Sequence, residues 1–525
     1  MKIEGQIVDI VARKIFSGAI TIEHDKITHV EACDTSEKQY ILPGFVDAHN
    51  HIESSMLVPS EFARHALKQG TIAMIADPHE IANVCGEDGI RFMMDDADQV
   101  PMKICFAVPS CVPATPLCSS GATIDAKSVA QLLQDPRTYA LAEMMNFVGI
   151  VNNDAECLAK VEAAHQLGKP VDGHIPMVSG DTLKQYIRAG ISTDHESSSF
   201  DEAEEKLQNG MKIIIREGST ARNFNALHPL ISQYASDLMF CSDDLKAFDL
   251  MDGHINKMVS KAVKAGYDLF DVLRIATYNP IRHYHIPMGM LQEGDPADFI
   301  LCDNLEDFQP KATYINGTLA SELTFKQTST CINNFKIQAI SEKDIADDIS
   351  PKEQLDVIQV LDGELFTPHL VLQRKDYDKI QKIVVINRYQ QELQVGIGYI
   401  KGFDLHGGAM AQTIAHDSHH IIATGSSDAL IVKATNRLIG IQGGIVVTDG
   451  HKETTLSLPI AGLMSPDSTE EVARQQKALL QHLTELHCPL TSPMVALSFM
   501  ALPVIPELKI TECGLFDFNQ FKYIS

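Results

Sequence analysis

Hydrophobic and polar positions along the first 40 residues alternate in short runs, at 6–11, 19–23 and 26–31. A His24-Asp25-Lys26 turn separates the last two. Runs of this length bounded by turn residues predict β-strands. From about residue 43 the pattern changes. Solid apolar runs of four to six residues now alternate with stretches whose apolar positions recur at helical spacing, the mark of βα units on a parallel sheet. The predicted strands are 44–48, 71–76, 103–108, 138–142, 170–173, 191–194, 212–215 and 237–241. The predicted helices are 61–69, 89–97, 126–133, 155–167, 181–189, 200–208, 226–234, 256–264 and 269–276. Eight such strands, each followed by helix, within roughly 235 residues predict a (β/α)8 barrel.

Beyond the barrel, the segment from Met288 to Ile300 returns to turns and short strands. The expected organisation is therefore a small β domain built from both flanks of the barrel, 1–42 plus 281–325. The barrel itself spans 43–280, and a C-terminal α/β domain spans 330–525. Gly407-Gly408 and Gly443-Gly444 read as turns in that last region. A chain of 525 residues is long enough for two or three such domains.

Charge narrows the partners. A formal charge of -26 repels phosphate backbones and anionic lipid heads, so neither nucleic acid nor a membrane surface is expected, and a small neutral or cationic substrate is. No apolar run approaches the ~18 residues of a membrane span, and the first residues, Met-Lys-Ile-Glu-Gly-Gln, contain no apolar leader core. Eleven scattered cysteines with no C-x-x-C suit reduced thiols, and together these features point to the cytoplasm.

The candidate chemistry lies at strand ends. His49-Asn50-His51 closes the first barrel strand, and residues i and i+2 of a strand face the same side. Such a pair alone carries little weight. Repetition supplies the weight: Glu143 ends the fourth strand, His174 the fifth, His195 the sixth and Asp243 the eighth. All are ligand types for divalent Mn, Fe or Zn, and all sit where barrel enzymes build their sites. Six ligands exceed one tetrahedral site, so two ions are the natural count, with Glu143 placed to bridge them.

Longer motifs carry a resemblance. They are Pro43–His51, then His51-Ile52-Glu53-Ser54-Ser55-Met56, the run Ala76–Val84, and Ala142-Glu143-Met144-Met145-Asn146. Arg216-Glu217-Gly218-Ser219, Ala415-His416-Asp417-Ser418-His419 and Leu502-Pro503-Val504-Ile505-Pro506 extend the set. From about residue 40 to the end, the chain resembles the adenine deaminase family of the amidohydrolase superfamily.

The resemblance implies that His49, His51 and Asp243 hold one metal, that His174 and His195 hold the other, and that Glu143 bridges. Mn(II) or Fe(II) is the expected metal, with Zn(II) as a third candidate. The implied reaction is hydrolytic deamination of adenine to hypoxanthine and ammonia by a metal-bound hydroxide, a purine-salvage step. Asp243 would carry the proton. Glu53, His79 and Glu80 are candidate donors or orienters; hydrogen bonding to the ligands is the plainer alternative for all three. Arg216, Glu217 and Ser219 would line the base pocket, with an ion pair as the other reading of Arg216. A homo-oligomer, a dimer first, is expected.

His416, Asp417 and His419 form a polar cluster before the apolar run Ile421-Ile422-Ala423. It reads either as a structural corner or as a lid over the barrel mouth. Two rival functions remain within reach: a cyclic amidase or other nucleobase deaminase of the same superfamily, and a non-catalytic binding protein on a barrel scaffold. Cyclic amidases of the superfamily usually carry a modified lysine where this chain has Glu143. The zinc deaminase pattern is excluded, because His51-Ile52-Glu53 has no P-C-x-x-C to follow it.

Overall fold

In a computed structural model, which describes residues 1–219, 221–325, 330–349 and 352–524, the eight barrel strands form as parallel pairs. Phe45–Asn50, Thr71–Ala76, Lys103–Val108, Thr138–Met144 and Val171–Gly173 make one run of five. Thr193–Asp194, Lys212–Arg216 and Leu238–Cys241 make a run of three. Parallel bridges join the runs at both ends, Val171 to Ile191 and Asn50 to Asp243. The sheet thus closes into the ring of a (β/α)8 barrel. Phe45–Asn50 and Thr71–Ala76 are buried at every position, as expected of strands covered on both faces, which is why they read as solid apolar runs.

Closure depends on Asp243. It adopts a left-handed φ of 51°, a conformation Asp tolerates better than most side chains. Its N–H donates to the His49 carbonyl at 3.0 Å, and its own carbonyl accepts from the His51 N–H at 3.3 Å. Below this seam, the Asp47 carboxylate accepts from the Ser242 N–H at 2.9 Å and pairs with the buried His254 at 3.0 Å.

The chain divides into two compact units. The first comprises Met1–His79, Arg91–Cys111 and the described residues of 124–325. The second comprises Glu80–Ile90, Val112–Thr123 and the described residues from 330 onward. Within the first unit, a seven-stranded sheet takes strands from both flanks of the barrel: Thr318–Leu319, Pro310–Ile315, Phe299–Cys302, Tyr40–Pro43, Lys2–Asp9, Lys14–Glu23 and Lys26–Ala32, in that order. Ile7, Ile20, Ile41, Phe299 and Leu301 are buried in its core. The second unit is built on an eight-stranded, largely antiparallel sheet. Helix Asp428–Ile441 packs on its central strands, and Val384, Ile421, Ala423, Leu438 and Val446 form the core.

Several elements differ from expectation. The first strand is Lys2–Asp9, earlier than 6–11, because residues 10–13 turn the hairpin into Lys14–Glu23. Residues 226–234 do not form one helix. Phe224–Leu227 and Ile231–Tyr234 are separate turns around His228–Leu230, where Pro229 interrupts the pattern. The helix expected at 89–97 begins ten residues earlier, as His79–Ala97, with a break at Gly86, whose φ is 62°. Short helices Phe147–Val151, Ala247–Asp252 and Tyr278–Tyr284 were not expected. Among the described residues, no helix is long and apolar enough to cross a membrane.

Candidate metal centre

The barrel brings His49, His51, Glu143, His174, His195 and Asp243 together at one end of the strands. His49 and His51 lie in or just beyond strand Phe45–Asn50. Glu143 is the penultimate residue of Thr138–Met144, while His174 and His195 directly follow Val171–Gly173 and Thr193–Asp194. All are buried except His174, whose side chain is 28% exposed.

Glu143 sits between the histidines. Its Oε1 is 3.3 Å from His51 Nε2 and 3.9 Å from His49 Nε2. Its Oε2 is 2.6 Å from His174 Nδ1 and 3.3 Å from His195 Nε2. Asp243 Oδ1 lies 3.1 Å from His51 Nε2 and 3.6 Å from His49 Nε2. The two Nε2 atoms of His49 and His51 are 3.1 Å apart, and the His49 and His195 rings stack at 4.1 Å.

These separations test whether cations fit. Two N or O ligands at about 2.1 Å from one ion, at right to tetrahedral angles, lie roughly 3.0–3.4 Å apart. His49 to His51, His51 to Asp243, His51 to Glu143 and His195 to Glu143 fall in that interval. The ring orientation agrees. His51 Nδ1 lies 3.0 Å from the Asp77 carbonyl, which can only accept, so Nδ1 carries a proton and Nε2 is the nitrogen turned to the cluster, free to ligate once its own proton is displaced.

Electrostatics act differently on the carboxylates and on the imidazoles. Burial pushes the Glu143 carboxyl up, but His174 and His195 outweigh it and hold the group well below its ordinary range. Burial likewise opposes the Asp243 anion, and Arg216 beside it prevails. Both stay anionic, as cation ligands must. Burial drives His49 well below its usual value, helped by His195 and His51, whereas His51, His174 and His195 are raised against their burial by the carboxylates they face.

The ligand-capable sets overlap. One contains His49, His195 and Asp243; another Glu143, His174 and His195; a third His51, Asp77, His79 and Glu143. Within each, the ligand atoms lie within 4.8 Å of one another. Asp77 was not among the residues singled out from sequence. It sits one residue beyond strand Thr71–Ala76, the same kind of strand-end position as the others, and that was the available signal. Its carboxylate holds His79 twice, through the backbone N–H and through Nδ1, each at 3.1 Å.

The remaining candidates fall into different surroundings. Glu53 is buried in the turn Ile52–Ser55. Arg216 bonds Glu196 and Asp243 Oδ2 through one guanidinium nitrogen, so the ion-pair reading describes it. Glu217 pairs with Lys261 at 3.3 Å. Ser219 donates to Asp249 and accepts from the Lys246 N–H, which ties it into its own loop. Glu80 belongs to the second unit. There it accepts from His416 Nδ1 at 2.7 Å and bonds His419 Nε2. Asp417 Oδ1 lies 3.5 Å from His416 Nδ1 in the same cluster.

Residues 40–320 match the amidohydrolase family, and residues 360–522 match the adenine deaminase C-terminal domain. The chain is 46% identical over 534 residues to the adenine deaminase of Sulfurovum sp., spanning all of this chain and 99% of that relative. The adenine deaminases of Methanosarcina mazei and Borreliella burgdorferi are 44% and 42% identical, each again over all of this chain and 99% of the relative.

Proposed function

The chain belongs to the adenine deaminase family of the amidohydrolases, and on that premise we propose that it hydrolyses adenine to hypoxanthine and ammonia. The observation that carries the site reading is the division of Glu143, one oxygen toward His49 and His51 and the other toward His174 and His195. His49, His51 and Asp243 would hold one divalent ion and His174 and His195 the other, with Glu143 shared. Mn(II) or Fe(II) is the metal proposed first, Zn(II) next. Bound there, such a pair supplies a water molecule acidic enough to be deprotonated near neutral pH.

The residues of the chain then manage protons. The reaction breaks C6–N6 and forms C6–O. One proton of the water ends on the departing amine and the other on the ring at N1. Asp243 collects a proton at Oδ1, the oxygen turned to the histidines, while Arg216 holds Oδ2 and fixes the plane of the carboxylate. Because Arg216 keeps Asp243 anionic, it starts the cycle able to accept. His79, oriented by Asp77, is the proposed donor to the ring, with Glu53 beside the first strand as its partner in that task. Glu217 and Ser219 border the base pocket. Glu80, His416, Asp417 and His419 form a polar cluster proposed to contribute to substrate recognition and to a lid.

The reading extends to a cytoplasmic homodimer working in purine salvage, with domain limits at 1–42 plus 281–325, 43–280 and 330–525. The deciding experiment is ammonia release by the Mn(II)-loaded protein across a panel of free bases and nucleosides. Adenine should be turned over and adenosine not. Faster turnover of adenosine or cytosine would end the assignment.

A further inference from the structure

Helix Phe200–Gln208, on the outside of the barrel, carries a lysine with no exposed surface. The Lys206 side chain is 0% exposed, and so is that of Asp194, its partner at 2.9 Å. Lysine is rarely buried completely, because removing the ammonium from water costs several kcal/mol that an ion pair only partly returns. Apolar replacements of buried pairs are often neutral or stabilising, so stability alone is a poor reason for this one.

The contacts suggest another reason. Lys206 Nζ, with three N–H groups, lies within hydrogen-bond distance of four acceptors that share them: the Ile175 carbonyl at 2.7 Å, Asp194 Oδ2 at 2.9 Å, Ser197 Oγ at 2.9 Å and Glu202 Oε1 at 2.8 Å. Asp194 Oδ1 accepts from the Ile175 N–H at 3.0 Å, and Oδ2 accepts from Ser197 N and Oγ at 2.9 and 2.7 Å. Glu202 also accepts from the Met177 N–H at 2.8 Å. Ile175 directly follows His174, and Asp194 directly precedes His195. The ammonium and one carboxylate therefore tie together the two strand-end loops that present these histidines, whose ring centroids are 5.4 Å apart.

We propose that Lys206 is a positioning residue for one half of the metal centre: through Asp194 and Ile175 it sets the spacing of His174 and His195 and hence the affinity of the ion they hold. Lys206 touches neither substrate nor metal. The His49, His51 and Asp243 side has its own fastening at the Asn50–Asp243 bridge and the Asp47, Ser242 and His254 contacts, none of which involves Lys206. The effect should accordingly be confined to one of the two ions. This inference rests on the two-ion reading above.

The test is Mn(II) titration of metal-free wild type, Lys206→Met and Ser197→Ala, read by bound metal per chain and by electron paramagnetic resonance, with thermal unfolding of the metal-free proteins alongside. Wild type should bind two ions. In Lys206→Met one of the two ions should lose about 10–100-fold in affinity, the range for partners that orient metal ligands, while the other is unchanged. Ser197→Ala removes one bond to each member of the pair without stranding a charge. It should shift the same ion by a smaller factor, and it decides the matter if Lys206→Met does not fold. Failure of wild type to bind metal would defeat the two-ion reading itself. Two ions with wild-type affinities in a folded Lys206→Met, or in Ser197→Ala if Lys206→Met is unfolded, would overturn the positioning role alone. So would equal weakening of both ions.

Discussion

Glu143→Gln is the sharpest perturbation of the metal centre, because it keeps volume and removes charge at a side chain only 4% exposed. The carboxylate offers two equivalent oxygens, one toward each histidine pair, whereas glutamine offers one oxygen and an NH2 group that cannot ligate. At most one pair keeps its oxygen ligand, so bound metal should fall from two per chain to one or fewer. A two-ion site contributes several kcal/mol of barrier lowering. Losing ~4 kcal/mol of it corresponds to a turnover lower by about 10^3-fold, at 1.36 kcal/mol per factor of ten. In the metal-free protein the charged contacts of His174 and His195 with Oε2 become neutral, at a cost of roughly 1.5–3 kcal/mol, while the glutamine oxygen turned that way can still accept. Metal-free Glu143→Gln should therefore still fold, with its melting temperature lowered by a few degrees. The assays are metal analysis after dialysis, ammonia release, and thermal unfolding without metal. Two ions per chain together with wild-type kcat in this variant would refute the bridging assignment, whatever the melting temperature.

Asp243→Asn should lower kcat by about 10^2–10^4-fold while KM changes little, since proton transfer matters at the barrier; steady-state kinetics with unchanged kcat would remove Asp243 from that role. In the second unit, burial works against the Glu512 anion, but the His420 imidazole 3.5 Å away and two hydrogen bonds from Ser119 bring its pKa from 4.5 to about 2. A depressed carboxylate adds stability above its unfolded value that is lost as pH falls from about 4.5 toward 2, here at most ~3 kcal/mol. Urea unfolding of wild type should show this slope and Glu512→Gln should flatten it; equal slopes would exclude Glu512 as the source. His419→Ala, prepared with full metal content, should raise KM or lower kcat if residues 415–420 contribute to substrate recognition, and wild-type kinetics would end that idea.

The barrel was legible because its strands are covered on both faces and its candidate ligands interrupt apolar runs at a fixed place, the strand end. Thr71–Ala76 and Lys103–Val108 match their expected bounds residue for residue. The long second helix was harder to read for a reason that lies in its buried polar residues. Its first half, from His79, carries Glu80 and Asn83 facing inward, 3% and 0% exposed, where an amphipathic pattern would place apolar residues. Inward polar groups erase the periodicity by which a helix is recognised. The same cause hid Asp77, which looked like a turn residue before Pro78 and instead orients two histidines, one with its carbonyl and the other with its carboxylate.

Lys206 was hidden differently. On an outer barrel helix rich in acidic residues, a lysine four residues after Glu202 reads as an ordinary surface pair. Only the three-dimensional return of the 174–177 and 194–197 loops onto that helix turns it inward. The contrast with Asp243 is instructive. Asp243 joins the last strand to the first with its backbone and meets the histidines with its side chain, so barrel closure and the placement of that carboxylate are one event. His174 and His195 follow strands of three and two residues, too short to fix their own ends. A side of the centre built on such short strands needs an added clamp, and a buried ion pair suits that task because it is costly in every arrangement except the fully bonded one.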